Sequence, residues 1–140
     1  LFWNAGWVPT PKPEFLKKIK MTLEEDEWIM DGNFDSTLEL RAKYADLIIF
    51  LDFPKVLCMY RILKRAWVHR GKTRPDMAPG CNEKIDMEFV KWVWRFPKDV
   101  RPGTLKILRE TKQVDICILQ NPKEVRAFLD TAPTIQAGKI

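Results

Sequence analysis

Histidine is almost missing from this chain, and cysteine is scarce: His69 stands alone, and Cys58, Cys81 and Cys117 are an odd number with no C-x-x-C pair among them. Those shortages exclude a disulfide framework and a zinc site built from paired thiols and imidazoles. Cys58 and Cys117 fall inside apolar patterns and read as core filler, whereas Cys81 falls in a loop without co-ligands. No apolar run approaches the roughly eighteen residues that a membrane span needs, and no charged stretch leading into an apolar one opens the chain. A cytoplasmic protein with no membrane partner is expected. There is no internal repeat and no low-complexity segment. Nor is there a G-x-x-x-x-G-K-[ST] phosphate loop: Gly71-Lys72-Thr73 ends like one, but Ala66 stands where its first glycine belongs.

What is present is enough apolar sequence, 46% of 140 residues, to bury one globular core. The net charge of +5 is concentrated: Arg61, Lys64, Arg65, Arg70, Lys72 and Arg74 crowd one short segment. Clustered positive charge points to an anionic ligand, and composition does not choose between a nucleotide and a nucleic acid.

Periodicity and punctuation predict alternating strands and helices. Phe15, Leu16, Ile19 and Leu23 after Pro11 and Pro13 predict a helix over about 13–25. Trp28-Ile29-Met30 before Asp31-Gly32 reads as a buried strand, and Ser36 with Glu39 as a capping box for a helix to about Ala45. Leu47 to Leu51 is the clearest strand, five apolar residues in a row, which implies burial on both faces in a parallel sheet. Pro54 opens a helix with Val56, Leu57, Tyr60, Leu63 and Trp67 as its core stripe. After a loop over 71–82, Ile85, Phe89, Trp92, Val93 and Phe96 predict a helix stopped by Pro97. A shorter helix follows Pro102-Gly103, then a buried strand from Val114 to Leu119. Asn121-Pro122-x-Glu124 caps a last helix with Val125, Phe128 and Leu129 inward. The fold class expected is α/β, three layers around a parallel sheet.

In such sheets ligands bind beyond the carboxyl ends of the strands, where Asp31 and Asp52 fall. A carboxylate there orients a hydroxyl or a metal-bound water for attack on a phosphoryl group, or else caps a local turn. Gly32 permits close backbone approach beside Asp31, and Asn33 adds a polar arm. Arg61 and Arg65 share one helix face, with Arg70 and Arg74 in the loop beyond. They form the base and tip of a closing lid over about 70–83, or else a solvated face; four arginines among six cations favour the anion site, because the guanidinium fork neutralises phosphate oxygens without losing its proton. Trp3 and Trp7, in an opening segment without periodicity, either stack on a substrate base or cover the edge of a core.

Leu1-Phe2-Trp3-Asn4, Trp28-Ile29-x-Asp31-Gly32-Asn33, Arg41 followed by Ala45-Asp46, Phe50-Leu51-Asp52-x-Pro54, Arg61-x-x-x-Arg65 and Thr73-Arg74-Pro75-Asp76 with Cys81-x-Glu83-Lys84 together resemble the topology-modulation proteins, which are P-loop ATPase- or kinase-like proteins related to adenylate kinase. The resemblance runs in order from residue 1 to about 130. It implies an adenylate-kinase-like P-loop NTPase fold over 1–131 with a tail over 132–140, and a transferase that uses ATP and Mg2+ on a nucleotide or other small acceptor. It also implies that the first strand and Walker A loop are missing here, so that ATP and Mg2+ binding is expected only when that loop is restored. By the same resemblance Arg61, Arg65, Arg70 and Asn121 face the donor nucleotide, and Asp31, Arg65 and Arg74 serve catalysis. Trp3, Trp7, Asp31, Asn33 and Arg41 lie on the acceptor side. The alternatives are a nucleic-acid-binding regulator of DNA topology and an inactive fragment. A polyanion binder gains nothing from the carboxylate of Asp31, which favours the enzyme.

Overall fold

A computed structural model describes residues 2–73, 77–83 and 85–131. In chain order they form β1 (Trp3–Asn4), β2 (Val8–Pro9), α1 (Lys12–Leu23), α2 (Asp35–Tyr44), β3 (Leu47–Leu51), α3 (Lys55–Val68), α4 (Met87–Asp99), α5 (Arg101–Glu110), β4 (Asp115–Leu119) and α6 (Pro122–Thr131). None of the described helices is long and apolar enough to cross a membrane.

The best-buried cluster forms around α1. Phe15, Ile19 and Leu23 are four residues apart, so they lie on one face, and Phe2, Trp28, Met30, Phe34 and Leu40 pack against them. The rings of Phe2, Phe15 and Phe34 meet pairwise at 4.8–5.1 Å. Ahead of α1, β1 and β2 pair antiparallel around a tight turn, with Trp3 opposite Pro9 and Asn4 opposite Val8. Trp7 takes φ 64°, a left-handed conformation that costs a side-chain-bearing residue of order 1 kcal/mol.

The sheet proper is smaller than the pattern predicts. β3 and β4 run parallel in register from Leu47↔Asp115 to Leu51↔Leu119, and no third strand joins them among the described residues. The expectation that β3 is buried on both faces fails: Leu47, Ile49 and Leu51 are 47%, 45% and 53% exposed. A strand is buried by its neighbours, and this one has a single neighbour among the described residues. Trp28-Ile29-Met30 likewise does not form the expected strand, and Ile29 is 93% exposed. The segment is held instead by Trp28 and Met30 packing on the α1 cluster.

Helix termini follow local chemistry more closely. Asn121 Oδ1 accepts from the N–H groups of Lys123 and Glu124, and Glu124 reaches back to Asn121 Nδ2 and the Gln120 N–H, so the cap of α6 forms as its sequence predicts. The capping box at Ser36 does not form: the cap lies two residues earlier, at Phe34, with α2 starting at Asp35 and no side-chain cap bond. α4 runs through Pro97 to Asp99, and the missing proline N–H deprives the Val93 carbonyl of its helical donor. Asp86 caps its other end. The apolar stripe of α3 faces outward: Val56, Tyr60, Leu63 and Trp67 are exposed, and the helix buries only Ala66. Leu129 of α6 is exposed too. Cys81, from the loop, is the most buried side chain described, at 1%.

Candidate functional site

One cavity of about 550 Å³ runs along β3. All five residues of β3 border it, with Trp28, Met30 and the Asp31–Asn33 loop, Arg41 of α2, Arg61 of α3, and Trp92, Val93 and Phe96 of α4. Four of the sequence-predicted site residues, Asp31, Asn33, Arg41 and Arg61, therefore share one space.

Their surroundings differ. Asp31 and Asn33 are exposed. Arg41 is buried, and its guanidinium holds the loop in place: Nη1 donates to the Gly32 carbonyl at 2.9 Å and Nη2 to the Phe34 carbonyl at 3.3 Å. Burial pulls its pKa below the ordinary arginine value, and the charges of Asp31 and Asp35 oppose that shift. Its Nε is buried without a hydrogen-bond partner. Gly32, at φ 122°, needs glycine: a Cβ there would come within 2.5 Å of the Phe34 ring. Arg61 is exposed, and its guanidinium lies over the ring of Phe53, another residue at the cavity, at 4.9 Å from the centroid. Stacking on a ring face leaves the in-plane N–H fork open to an anion.

The other predicted residues lie elsewhere. Arg65, on the same helix as Arg61, does not border the cavity; its Nε donates to Glu83 Oε1 at 3.0 Å, with Glu83 buried. That ion pair ties the end of the lid segment to α3. Within the segment, bridges Arg70↔Glu83 and Thr73↔Asn82 bring its two ends together, and Arg70 is exposed. Arg74 lies outside the described residues. Trp3 and Trp7 touch each other edge to face at 5.5 Å and do not border the cavity. Trp7 anchors the lid instead: its indole N–H donates to the Asn82 carbonyl at 3.0 Å and its backbone N–H to Cys81 Sγ at 3.3 Å, while that thiol donates to the Asn4 carbonyl at 3.3 Å. Asn121 spends its side chain on the cap of α6.

Two ion-pair partners were not marked by any local signal. Arg101, the first residue of α5, meets Asp52 just beyond β3, and the hydrogen bonds it donates to the Asp52 carboxylate raise its pKa above the ordinary arginine value. Glu83 was visible only as part of a sequence string. Among the described residues no cluster of three metal-ligating side chains occurs, and Asp31 is the one acidic residue at the cavity. No family model, no curated protein and no solved structure matches the chain.

Proposed function

We propose that this chain is the larger part of a P-loop kinase-like domain of the topology-modulation type, acting in the cytoplasm to transfer a phosphoryl group from ATP to a nucleotide or another small acceptor. The observation that carries this reading is the meeting of Asp31, Asn33, Arg41 and Arg61 at one cavity along β3. Arg61 offers an exposed, ring-supported fork to phosphate oxygens, where developing charge has to be neutralised. Asp31, exposed at the same space, is suited to orient an acceptor hydroxyl. Arg41 positions the loop that carries Asp31 and Asn33. Arg65 acts at the base of the lid through Glu83, and Trp7 holds the neighbouring Cys81 and Asn82.

Residues 1–140 contain no Walker A sequence, and the cavity offers Mg2+ a single carboxylate, so the described residues alone do not fit a magnesium triphosphate. On this reading the phosphate cradle comes from a loop outside these residues.

Calorimetric titration tests it. The 140-residue chain should bind ATP at millimolar strength or weaker, and a version extended upstream by a strand and a Walker A loop should bind tighter by roughly 2–4 kcal/mol, the scale of several charge-assisted hydrogen bonds. In the extended version Asp31→Asn should cut phosphoryl transfer by roughly 10²- to 10⁴-fold with ATP affinity kept. Equal ATP affinities for the two versions, or full activity of Asp31→Asn, would remove the kinase reading. Arg61→Ala weakening DNA binding alone would favour the nucleic-acid regulator.

A further inference from the structure

The outward stripe of α3 is a continuous ridge. Val56, Tyr60, Leu63 and Trp67 follow one another at intervals of four, three and four residues, which keeps them on one side of the helix over about 17 Å. All four are exposed, Val56 at 68% and Trp67 at 79%. None of them borders the cavity along β3, so the ridge is separate from the candidate site. Single exposed apolar residues are ordinary on a protein surface, whereas four in line, two of them aromatic, form a patch of the kind that marks a contact.

The charge around the ridge identifies the contact's chemistry. Residues 53–75 hold seven of the chain's 24 lysines and arginines and none of its 19 acidic residues, while in the rest of the chain acids outnumber those cations by two. The whole positive balance of the protein therefore belongs to α3 and the segment after it. Lys64 lies along one flank of the ridge, its Nζ 5.9 Å from the Tyr60 ring centroid, and Arg61 is exposed further round the same flank. Beyond the end of the helix Arg70 and Lys72 are exposed as well. Within this set Arg65 is engaged by Glu83.

We propose that the outer face of α3 lies on an anionic phospholipid surface, with Val56, Tyr60, Leu63 and Trp67 seated where headgroups meet acyl chains and Lys64 among the lipid phosphates. A helix that binds in the plane of a bilayer needs this combination of an apolar ridge and flanking cations. Tyrosine and tryptophan rings suit the boundary because one end is apolar and the other wet, and a lysine stem can run along apolar surface while its ammonium stays among the headgroups. The lack of a spanning helix among the described residues bears on crossing a bilayer and not on lying against one. Single-stranded nucleic acid fits the ridge less well: its sites are grooves lined with stacking rings, and Val56 and Leu63 offer none on a convex helix. A second copy packed ridge to ridge would press together two helices that each carry cations and no acid, a like-charge contact that costs affinity. Nothing in this proposal depends on phosphoryl transfer.

Co-sedimentation of the 140-residue chain with extruded vesicles tests this. Phosphatidylcholine vesicles containing about 30% phosphatidylglycerol should bind the chain roughly tenfold or more tightly than phosphatidylcholine alone, because each cation near an anionic surface contributes about fivefold. Trp67→Ser and Lys64→Glu should each weaken that binding by roughly tenfold, the first through lost apolar burial and the second through reversed charge. Both positions are exposed, so circular dichroism should show the fold unchanged. Trp67→Phe should keep the binding and lose part of the quenching of tryptophan fluorescence by brominated acyl chains, which a basic protein merely attracted to the surface would not do. Binding that ignores Trp67→Ser, equal binding to uncharged vesicles, or no binding to either would overturn the proposal. A Trp67-dependent affinity for oligo-dT tighter than that for vesicles would assign the ridge to nucleic acid instead, and a concentration-dependent dimer broken by Leu63→Ser would assign it to a second copy. ATP enters none of these measurements, so failure here leaves the reading of Asp31 and Arg61 untouched.

Discussion

Arg101 grips both carboxylate oxygens of Asp52, Nε to Oδ1 and Nη2 to Oδ2, each at 2.7 Å. The fork joins the end of β3 to the start of α5, two elements with no local sequence link, and it engages both oxygens of the carboxylate at that strand end. Asp52 is the more buried partner, so the two substitutions are not equivalent.

Arg101→Leu should destabilise the chain by about 1–3 kcal/mol, less than a fully buried pair would cost, because the arginine is partly exposed. Adding Asp52→Asn to that variant should recover part of the loss by removing the stranded charge. Urea denaturation of both single variants and the double variant measures the coupling; strict additivity would mean that the fork contributes nothing.

Arg61 and Arg65 share a helix and differ in partner, so their alanine variants should separate. Arg65→Ala removes the ion pair to buried Glu83 and should cost about 1–2 kcal/mol of stability, with faster proteolysis of the 70–83 segment. Arg61→Ala, at an exposed position, should stay within about 0.5 kcal/mol of the parent and act on anion binding instead. Equal stability losses would show that the lid latch is misassigned.

Apolar sequence pattern and apolar burial diverge at Ile19 and Ile49, and stability will follow burial. Ile19→Ala, at 3% exposure, should cost about 2–4 kcal/mol, whereas Ile49→Ala, at 45%, should cost under about 1 kcal/mol in this chain. Thermal or urea unfolding decides it.

Burial pushes the Cys58 thiol above its ordinary range, with nearby Arg61 opposing and Asp52 reinforcing the shift. Because the folded pKa is the raised one, the neutral thiol's contribution to stability is complete below the unfolded thiol value and is lost as pH rises through the folded pKa. Alkylation of Cys58 should accordingly lag a free thiol near neutral pH and catch up only in alkali. Mass spectrometry of iodoacetamide adducts across pH reads this directly; a rate already maximal near neutral pH would contradict it.

Local chemistry was legible in the sequence by itself. The helices after Pro11 and Pro54, the Asn121 cap with Glu124, and the two strands Leu47–Leu51 and Asp115–Leu119 follow from spacing and capping that act within a few residues, whereas α5 takes Pro102 and Gly103 into its first turn instead of following them. So did the grouping of Asp31 with Asn33, which are neighbours in the loop after Met30. Tertiary structure alone decided what those elements bury and what the charged residues touch. Leu47–Leu51 looks central because it is apolar throughout, yet a strand's burial depends on the strands beside it, and among the described residues only β4 is there. Arg65 and Arg61 are indistinguishable by helical periodicity, and a carboxylate eighteen positions after Arg65 separates their roles. Asp52 finds its arginine forty-nine residues away, and Cys81 becomes the most buried side chain described because the lid folds onto the Asn4–Trp7 turn. Such contacts are set by where helices and strands meet in space, which hydrophobic periodicity and capping motifs do not encode.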